Sequence, residues 1–234
     1  STKYTEEILV NKPMTIKAIA VKEGLTNSAM ATFVYEIIDT KNAKISDIQG
    51  ASHTSPYVDL TVNDVEGIVT FVINSSSFIM QEVDSAFDGV KSTAIKVNKS
   101  AHNVAVGDII NVSGKVMEEG GNSRLKDTQI SAANITKTGT AVIPEALVIG
   151  EDLFPPNKII DNDAFSIFDP QEDGIDFWES IEYMRVSFPE ARVIGPIYNN
   201  DSPIVVPSTT NNTFNVNGGL NIAADDYNPE KIML

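Results

Sequence analysis

Val65-Glu66-Gly67-Ile68-Val69-Thr70-Phe71-Val72-Ile73 is the stretch on which the fold turns. At period two it sets Val65, Gly67, Val69, Phe71 and Ile73 on one face, and β-branched and aromatic residues dominate it, so it reads as a half-buried strand. The same texture repeats outward. Val58, Leu60 and Val62 alternate upstream, and Phe78-Ile79-Met80 and Ala94-Ile95-Lys96-Val97 follow downstream. After a turn at Val106-Gly107-Asp108, Ile110, Val112, Gly114 and Val116 mark another strand, and Gln129-Ile130 and Asn134-Ile135 end the series. Short strands at this spacing, one with an interior glycine that permits strong coiling, predict a small barrel over residues 39–140. No segment of this region carries a helical period.

Upstream, Met14 to Val21 and Ala29 to Ile37 are β-prone runs joined by a turn containing Gly24, which predicts a hairpin within residues 1–38. Ala29, Ala31, Phe33, Tyr35 and Ile37 share a face, yet a two-stranded hairpin alone is only marginally stable. The polar run Asp39 to Lys44 links it to the barrel. Downstream, residues 141–234 form an acidic, β-rich extension: Pro155-Pro156, an acidic stretch from Asp161 to Glu179, and apolar runs from Tyr183 to Phe188 and from Ala191 to Pro196. Phe177, Ile181 and Met184 fall at helical spacing and predict a short helix around Ile175 to Tyr183. The Asn-, Thr- and Gly-rich tail from Thr209 to Asn221 predicts an exposed loop. The fold class is therefore mainly β: a small barrel, an additional β-rich segment and an N-terminal hairpin.

Charge and composition narrow the function. With 32 acidic and 17 basic residues the net charge is −15, which disfavours tight autonomous binding of nucleic acid, whose phosphates reward a basic surface. A local basic groove on an acidic body stays compatible with it. The absence of cysteine excludes a disulfide framework, a thiol nucleophile and a Cys-ligated zinc. No apolar run approaches the roughly 18 residues that suggest a membrane span, so no membrane insertion is expected. No basic-then-apolar leader opens the chain either.

Two resemblances add to this. Tyr4-Thr5-Glu6-Glu7-Ile8, Thr15 to Gly24 and Ser28 to Tyr35 resemble the last strands of the immunoglobulin-like module at the C-terminus of chitobiase and β-hexosaminidase. The match covers the second half of that module, which implies a partial immunoglobulin-like hairpin whose earlier strands lie upstream. Ile45-Ser46-Asp47-Ile48-Gln49-Gly50-Ala51-Ser52-His53-Thr54-Ser55-Pro56-Tyr57 resembles the opening of the oligonucleotide/oligosaccharide-binding (OB) like region of extracellular bacterial nucleases with endonuclease/exonuclease/phosphatase or calcineurin-like catalytic domains. Val65 to Thr70 fits its first barrel strand, and Val106-Gly107-Asp108 with Val112-Ser113-Gly114-Lys115-Val116 a later one. Phe168-Asp169-Pro170-Gln171-Glu172-Asp173-Gly174-Ile175-Asp176-Phe177-Trp178-Glu179-Ser180-Ile181-Glu182 resembles its acidic signature, and Gly218-Gly219 with Asp226 to Ile232 a last block. One departure is Tyr183, where glycine is expected. The resemblance implies a secreted or cell-surface accessory module of a metal-dependent nuclease, joined to a catalytic domain elsewhere in the same polypeptide. With only His53 and His102 and no His-x-His or Asp-x-His pattern, this chain is not expected to assemble a two-metal phosphodiesterase centre.

Three sets of candidate residues follow. OB barrels bind single strands by stacking bases on aromatics and tracking phosphates with cations, which points to Phe71, Phe78 and Met80 with Lys91, Lys96, Lys99, Arg124 and Lys126. The plainer alternative is that both phenylalanines fill the barrel and the cations are ordinary surface. Asp161, Asp163, Asp169, Glu172, Asp173, Asp176 and Glu179 offer hard oxygens of the kind Ca²⁺ takes, with Asp169, Glu172, Asp173 and Asp176 as the candidate Ca²⁺ set; the spacing is not that of an EF-hand, and an acidic run also suits a solvated face. His53 contacts a phosphate or orders a loop near the Ser55-Pro56-Tyr57 turn, the second reading being the simpler one for a histidine without catalytic partners. Trp178 beside Phe177 is expected to anchor packing. Three roles compete: positioning single-stranded nucleic acid for a nuclease, adhesion to carbohydrate or cell wall, and a passive spacer.

Overall fold

In the computed structural model, residues 2–84, 86–120, 125–198, 202–208 and 212–233 are described. The chain divides into two units, residues 1–39 and 40–234.

The first unit is the expected hairpin, β1 (Met14–Ala18) antiparallel to β2 (Ala31–Tyr35), with Ile16 opposite Phe33. Among its described residues none is buried. Phe33 is 51% and Val34 70% exposed, and a two-stranded sheet by itself is only marginally stable.

The second unit opens with α1 (Ile45–Gln49), continues through β3 (Thr61–Asn74), β4 (Ser77–Gln81), β5 (Ala94–Asn98), β6 (Asp108–Glu119) and β7 (Asp127–Thr140), and ends with the extension. The five strands close on one another in the order β3-β4-β5-β7-β6, every pairing antiparallel except the parallel β5–β7 pair. Closure removes the open edges that a small sheet would otherwise expose. The chain is thus mainly β with several sheets, as its strand pattern predicts.

Period two accounts for most of the ring's interior. Val65, Val69, Phe78, Met80, Ile95, Val97, Ile110, Val112, Val116 and Ile130 are all fully buried in one core, each such side chain contributing about 1.5–3 kcal/mol relative to exposure. At Gly114 the β6–β7 register slips, and a Cβ there would come within 3.0 Å of the Ser131 carbonyl and Ala132. Only glycine lets the two backbones approach this closely, as the coiling argument requires.

Two features depart from the sequence reading. The first is α1, a single turn in a stretch without helical period, whose Ile45 and Ile48 enter the ring core at zero exposure like a plug. Ser46 N donates to Glu82 Oε1 at 2.6 Å, which ties the plug to the strand end. The second is a bulge in β3, where the register slips between Val69 and Phe71. Val69 faces inward, but Phe71 is 58% and Ile73 41% exposed, and Val72 turns in to pack against the core instead.

The extension carries β8 (Leu147–Val148) paired in parallel with β9 (Val186–Ser187), α2 (Gly174–Ser180), and an antiparallel sheet of β10 (Ala191–Tyr198), β11 (Ser202–Pro207) and β12 (Ile232–Met233). The helix overlaps the span expected around Ile175 to Tyr183, but it starts at Gly174 and ends at Ser180, so Ile181 and Met184 lie beyond its end. Phe177, Ile181 and Met184, with Ile149, form a second core against Ala94 of β5, joined by the partly buried Ile79 of β4, Phe87, Trp178 and Tyr183. Ile79 and Ala94 are outward-facing positions of the ring. The extension therefore lies over part of the β4–β5 outer face.

Candidate functional site

The outer rows of the ring follow from strand register. Phe71 stands beside Ile79, Ile79 beside Lys96, and Lys96 beside Gln129, so one row crosses β3, β4, β5 and β7. The next row runs Asn74, Ser77, Asn98 and Ser131. Near it, Ser76, Asn98, Lys99, Ser100, Ser131 and Ala132 line an open polar groove of about 480 Å³. Lys99 Nζ donates to the Ala133 carbonyl at 2.6 Å, which holds the ammonium over this rim.

The candidate residues for nucleic acid thus separate. Phe71, Lys96 and Lys99 share one quarter of the outer surface, with Phe71 turned outward by the bulge. Phe78 is corrected: at zero exposure inside the ring, edge-on to His102 at 5.0 Å between centroids, it fills the core and offers no face to a base. Met80 is buried there too. Lys91 sits in the loop before β5, its backbone N–H bound to Asp88 Oδ1 at 2.8 Å, and Lys126 is exposed just before β7. Because β5 and β7 run parallel, both lysines lie toward the rim occupied by the extension, where Ser92 Oγ donates to the Glu182 carbonyl at 2.6 Å and Tyr183 Oη to Asp127 Oδ2 at 2.7 Å. Arg124 lies outside the described residues.

The acidic stretch is drawn together more tightly than its sequence suggests. Asp173 precedes α2 as its N-cap residue and Asp176 lies in the first turn. Ligand oxygens of Asp169, Asp173 and Asp176 all lie within 4.8 Å of one another, and the same holds for Asp161, Asp163 and Asp173. Asp173 belongs to both groups and is 1% exposed; Asp176 is 2% exposed. Of the four residues of the candidate Ca²⁺ set, three converge. Glu172 does not: it is exposed in the turn before the helix and belongs to neither group. Asp161 and Asp163 take its place. Burial and the neighbouring Asp176 charge push the Asp169 carboxyl up; burial and the charges of Asp169, Asp161 and Asp163 do the same to Asp173, against a hydrogen bond from Asn162 N.

His53 is the residue whose partners the sequence concealed. It does order a loop, but through the acidic stretch rather than the Ser55-Pro56-Tyr57 turn: Nε2 is 2.6 Å from Asp176 Oδ1 and Nδ1 is 3.8 Å from Glu179 Oε2. Phe165 and Phe168 stack edge-on against its ring at 5.1 and 5.4 Å. Glu179 and Asp176 raise its pKa, while burial opposes them. A cleft of about 470 Å³ lies alongside, lined by residues 51–54 and 164–168.

Further contacts fasten the same region. Gln49 Nε2 donates to the Ala94 carbonyl at 2.7 Å and to Glu182 Oε2 at 3.0 Å. Burial, reinforced by the Glu179 charge, pushes the Glu182 carboxyl up to about 8. Trp178 Nε1 donates to the Pro229 carbonyl at 2.8 Å, the anchoring expected of it, and a Cβ on Gly174 would lie under 3.0 Å from the Pro229 ring. Tyr183, where glycine is expected, has φ 59°, the left-handed region that glycine enters without strain. The tyrosine accepts that backbone while its ring joins the second core and its hydroxyl reaches Asp127.

The comparisons with known proteins bear on the extension alone. The family model described as "Domain of unknown function (DUF8508)" matches residues 148–234, from β8 to the end of the chain. No curated protein and no solved structure matches the chain.

Proposed function

We propose that this chain is a non-catalytic accessory module of a longer, secreted bacterial nuclease, and that its ring is an OB-type barrel presenting single-stranded nucleic acid weakly to a catalytic domain of the same polypeptide. The observation that carries the reading is the outer quarter bearing Phe71, Lys96 and Lys99. An exposed aromatic for stacking, two cations for phosphate and a polar groove lie on neighbouring rows of a closed five-stranded ring whose crossover leaves β5 and β7 parallel. The extension reaches Ile79, which stands between Phe71 and Lys96 in the same row, so the strip is short and lies at its margin. With few phosphate contacts and an acidic body, affinity is low.

Fluorescence anisotropy with labelled single-stranded DNA and RNA at low salt tests this. Binding is expected to weaken with salt at a log–log slope of about −0.7 per phosphate contacted. Phe71→Ala is expected to cost about 1–3 kcal/mol if a base stacks there, and Lys96→Glu to flatten the salt dependence. Absence of binding by the wild-type chain at low salt, or unchanged binding by both variants, refutes the reading. A parallel titration with cell-wall glycan then separates an adhesion module from a spacer.

A further inference from the structure

We infer that Asp169, Asp173 and Asp176 hold one divalent cation of the calcium class, with Asp161 and Asp163 beside it. The trio's ligand oxygens lie within 4.8 Å of one another, close to twice the roughly 2.3–2.6 Å separation of Ca²⁺ from an oxygen ligand. All three carboxylates can therefore reach one ion.

A second observation is independent of that crowding. Asp173 is 1% exposed; its Oδ2 accepts from Asn162 N at 3.0 Å, while its Oδ1 is buried with no hydrogen-bond partner among the described residues. Asp169 Oδ1 is likewise buried and without a hydrogen-bond partner among the described residues. Leaving buried carboxylate oxygens unmatched is costly, and a cation bound between them removes that cost. Asp176 is oriented for the task from both sides, with Asp169 N donating to Oδ2 at 2.8 Å and His53 Nε2 lying 2.6 Å from Oδ1. His53 is thus a positioning residue behind a ligand, since ligating carboxylates are themselves held by hydrogen bonds.

The donor set selects the ion. All candidate ligands are carboxylate oxygens from an irregular loop and one short helix, which suits the variable coordination of Ca²⁺ better than the near-ideal octahedron that Mg²⁺ demands. Residues 164–168, between Asp163 and Asp169 in the chain, line the open cleft beside His53. A bound cation would pin the loop carrying Asp169 to α2 and, through Asp176 and His53, to the segment following α1.

The test is calorimetric titration of the whole chain with CaCl₂ and with MgCl₂, together with thermal unfolding in each salt. The expected results are one Ca²⁺ per chain, weaker binding of Mg²⁺, and an unfolding midpoint raised by several degrees in Ca²⁺. Asp173→Asn and Asp169→Asn are each expected to weaken Ca²⁺ binding by at least about tenfold, while without metal each unfolds no earlier than the wild type because a crowded charge has gone. Glu66→Gln, an exposed change on β3, is expected to bind as the wild type does. If Asp173→Asn fails to fold, Asp169→Asn decides. Absence of both binding heat and midpoint shift at millimolar Ca²⁺, or wild-type affinity in a folded Asp169→Asn chain, overturns the site.

Discussion

Glu182→Gln is expected to make the protein markedly more stable at alkaline pH and to leave it nearly unchanged in mild acid. Glu182 Oε2 accepts from Gln49 Nε2 at 3.0 Å, and its carboxyl is pushed from 4.5 up to about 8, chiefly by burial, with the charges of Glu179 and Asp127 adding to it. Between those two values the folded chain keeps a proton that the unfolded chain releases. Stability must therefore fall as pH rises through this window, with a slope of up to about 1.4 kcal/mol per pH unit and on the order of 3–5 kcal/mol across it. Glutamine keeps an acceptor for Gln49 and cannot ionise. The variant should match the wild type near pH 5 and exceed it near pH 8, where each kcal/mol corresponds to roughly 2–4 °C in midpoint for a chain of this size. Fluorescence of Trp178, the sole tryptophan, follows unfolding in urea or on heating. The variant's profile should be flatter than the wild type's but not flat, because burial also raises the carboxyls of Glu118 and Glu230. Parallel wild-type and variant profiles from pH 5 to 8 would refute the assignment of this titration to Glu182.

Gly174→Ala improves helix propensity by about 1 kcal/mol yet should destabilise the chain by roughly 1–3 kcal/mol net, because the new methyl meets Pro229 within 3.0 Å; urea unfolding of the two chains measures the sign directly. The isolated segment 148–234 should not fold alone, since the second core needs Ala94, Ile79 and Phe87 from outside it; circular dichroism and amide exchange showing a cooperatively folded fragment would contradict this.

The ring was legible because period two is a local property that burial enforces: Val65, Val69, Ile110, Val112 and Val116 each fall where alternation puts them. What was not legible depends on register or on distant partners. The bulge between Val69 and Phe71 shifts the phase by one residue, so Phe71 and Ile73 leave the face on which alternation places them. One turn of helix cannot display a period, which hid α1. Phe78 and Phe71 look alike in composition, and only pairing decides that one packs inward while the other faces solvent. In the acidic stretch, sequence supplied the carboxylates but not which of them converge. Asp161 lies twelve positions before Asp173, and only the path of the loop brings it near while leaving Glu172 outside. His53 and Asp176 are 123 positions apart, and nothing local signals such a pair.

Three of the segments singled out in the sequence, residues 45–57, 168–182 and 226–232, are fastened to one another by the fold. Residues 45–57 meet residues 168–182 through His53–Asp176 and Gln49–Glu182, and the latter meet residues 226–232 through Trp178 and Gly174 against Pro229. The same packing distributes charge. Acid gathers in the extension and in the groove lined by Asp64, Glu66, Glu82 and Asp84, where phosphate is repelled. Phe71, Lys96 and Lys99 stand at the margin of the face that the extension covers, with Ile79 of the second core between Phe71 and Lys96. A net charge of −15 consequently bears less on that quarter than a whole-chain sum implies, since screening confines exposed charges to about 8–10 Å at physiological salt. Under the proposed function, the extension braces the ring and borders the part of its surface where Phe71 and the two lysines lie.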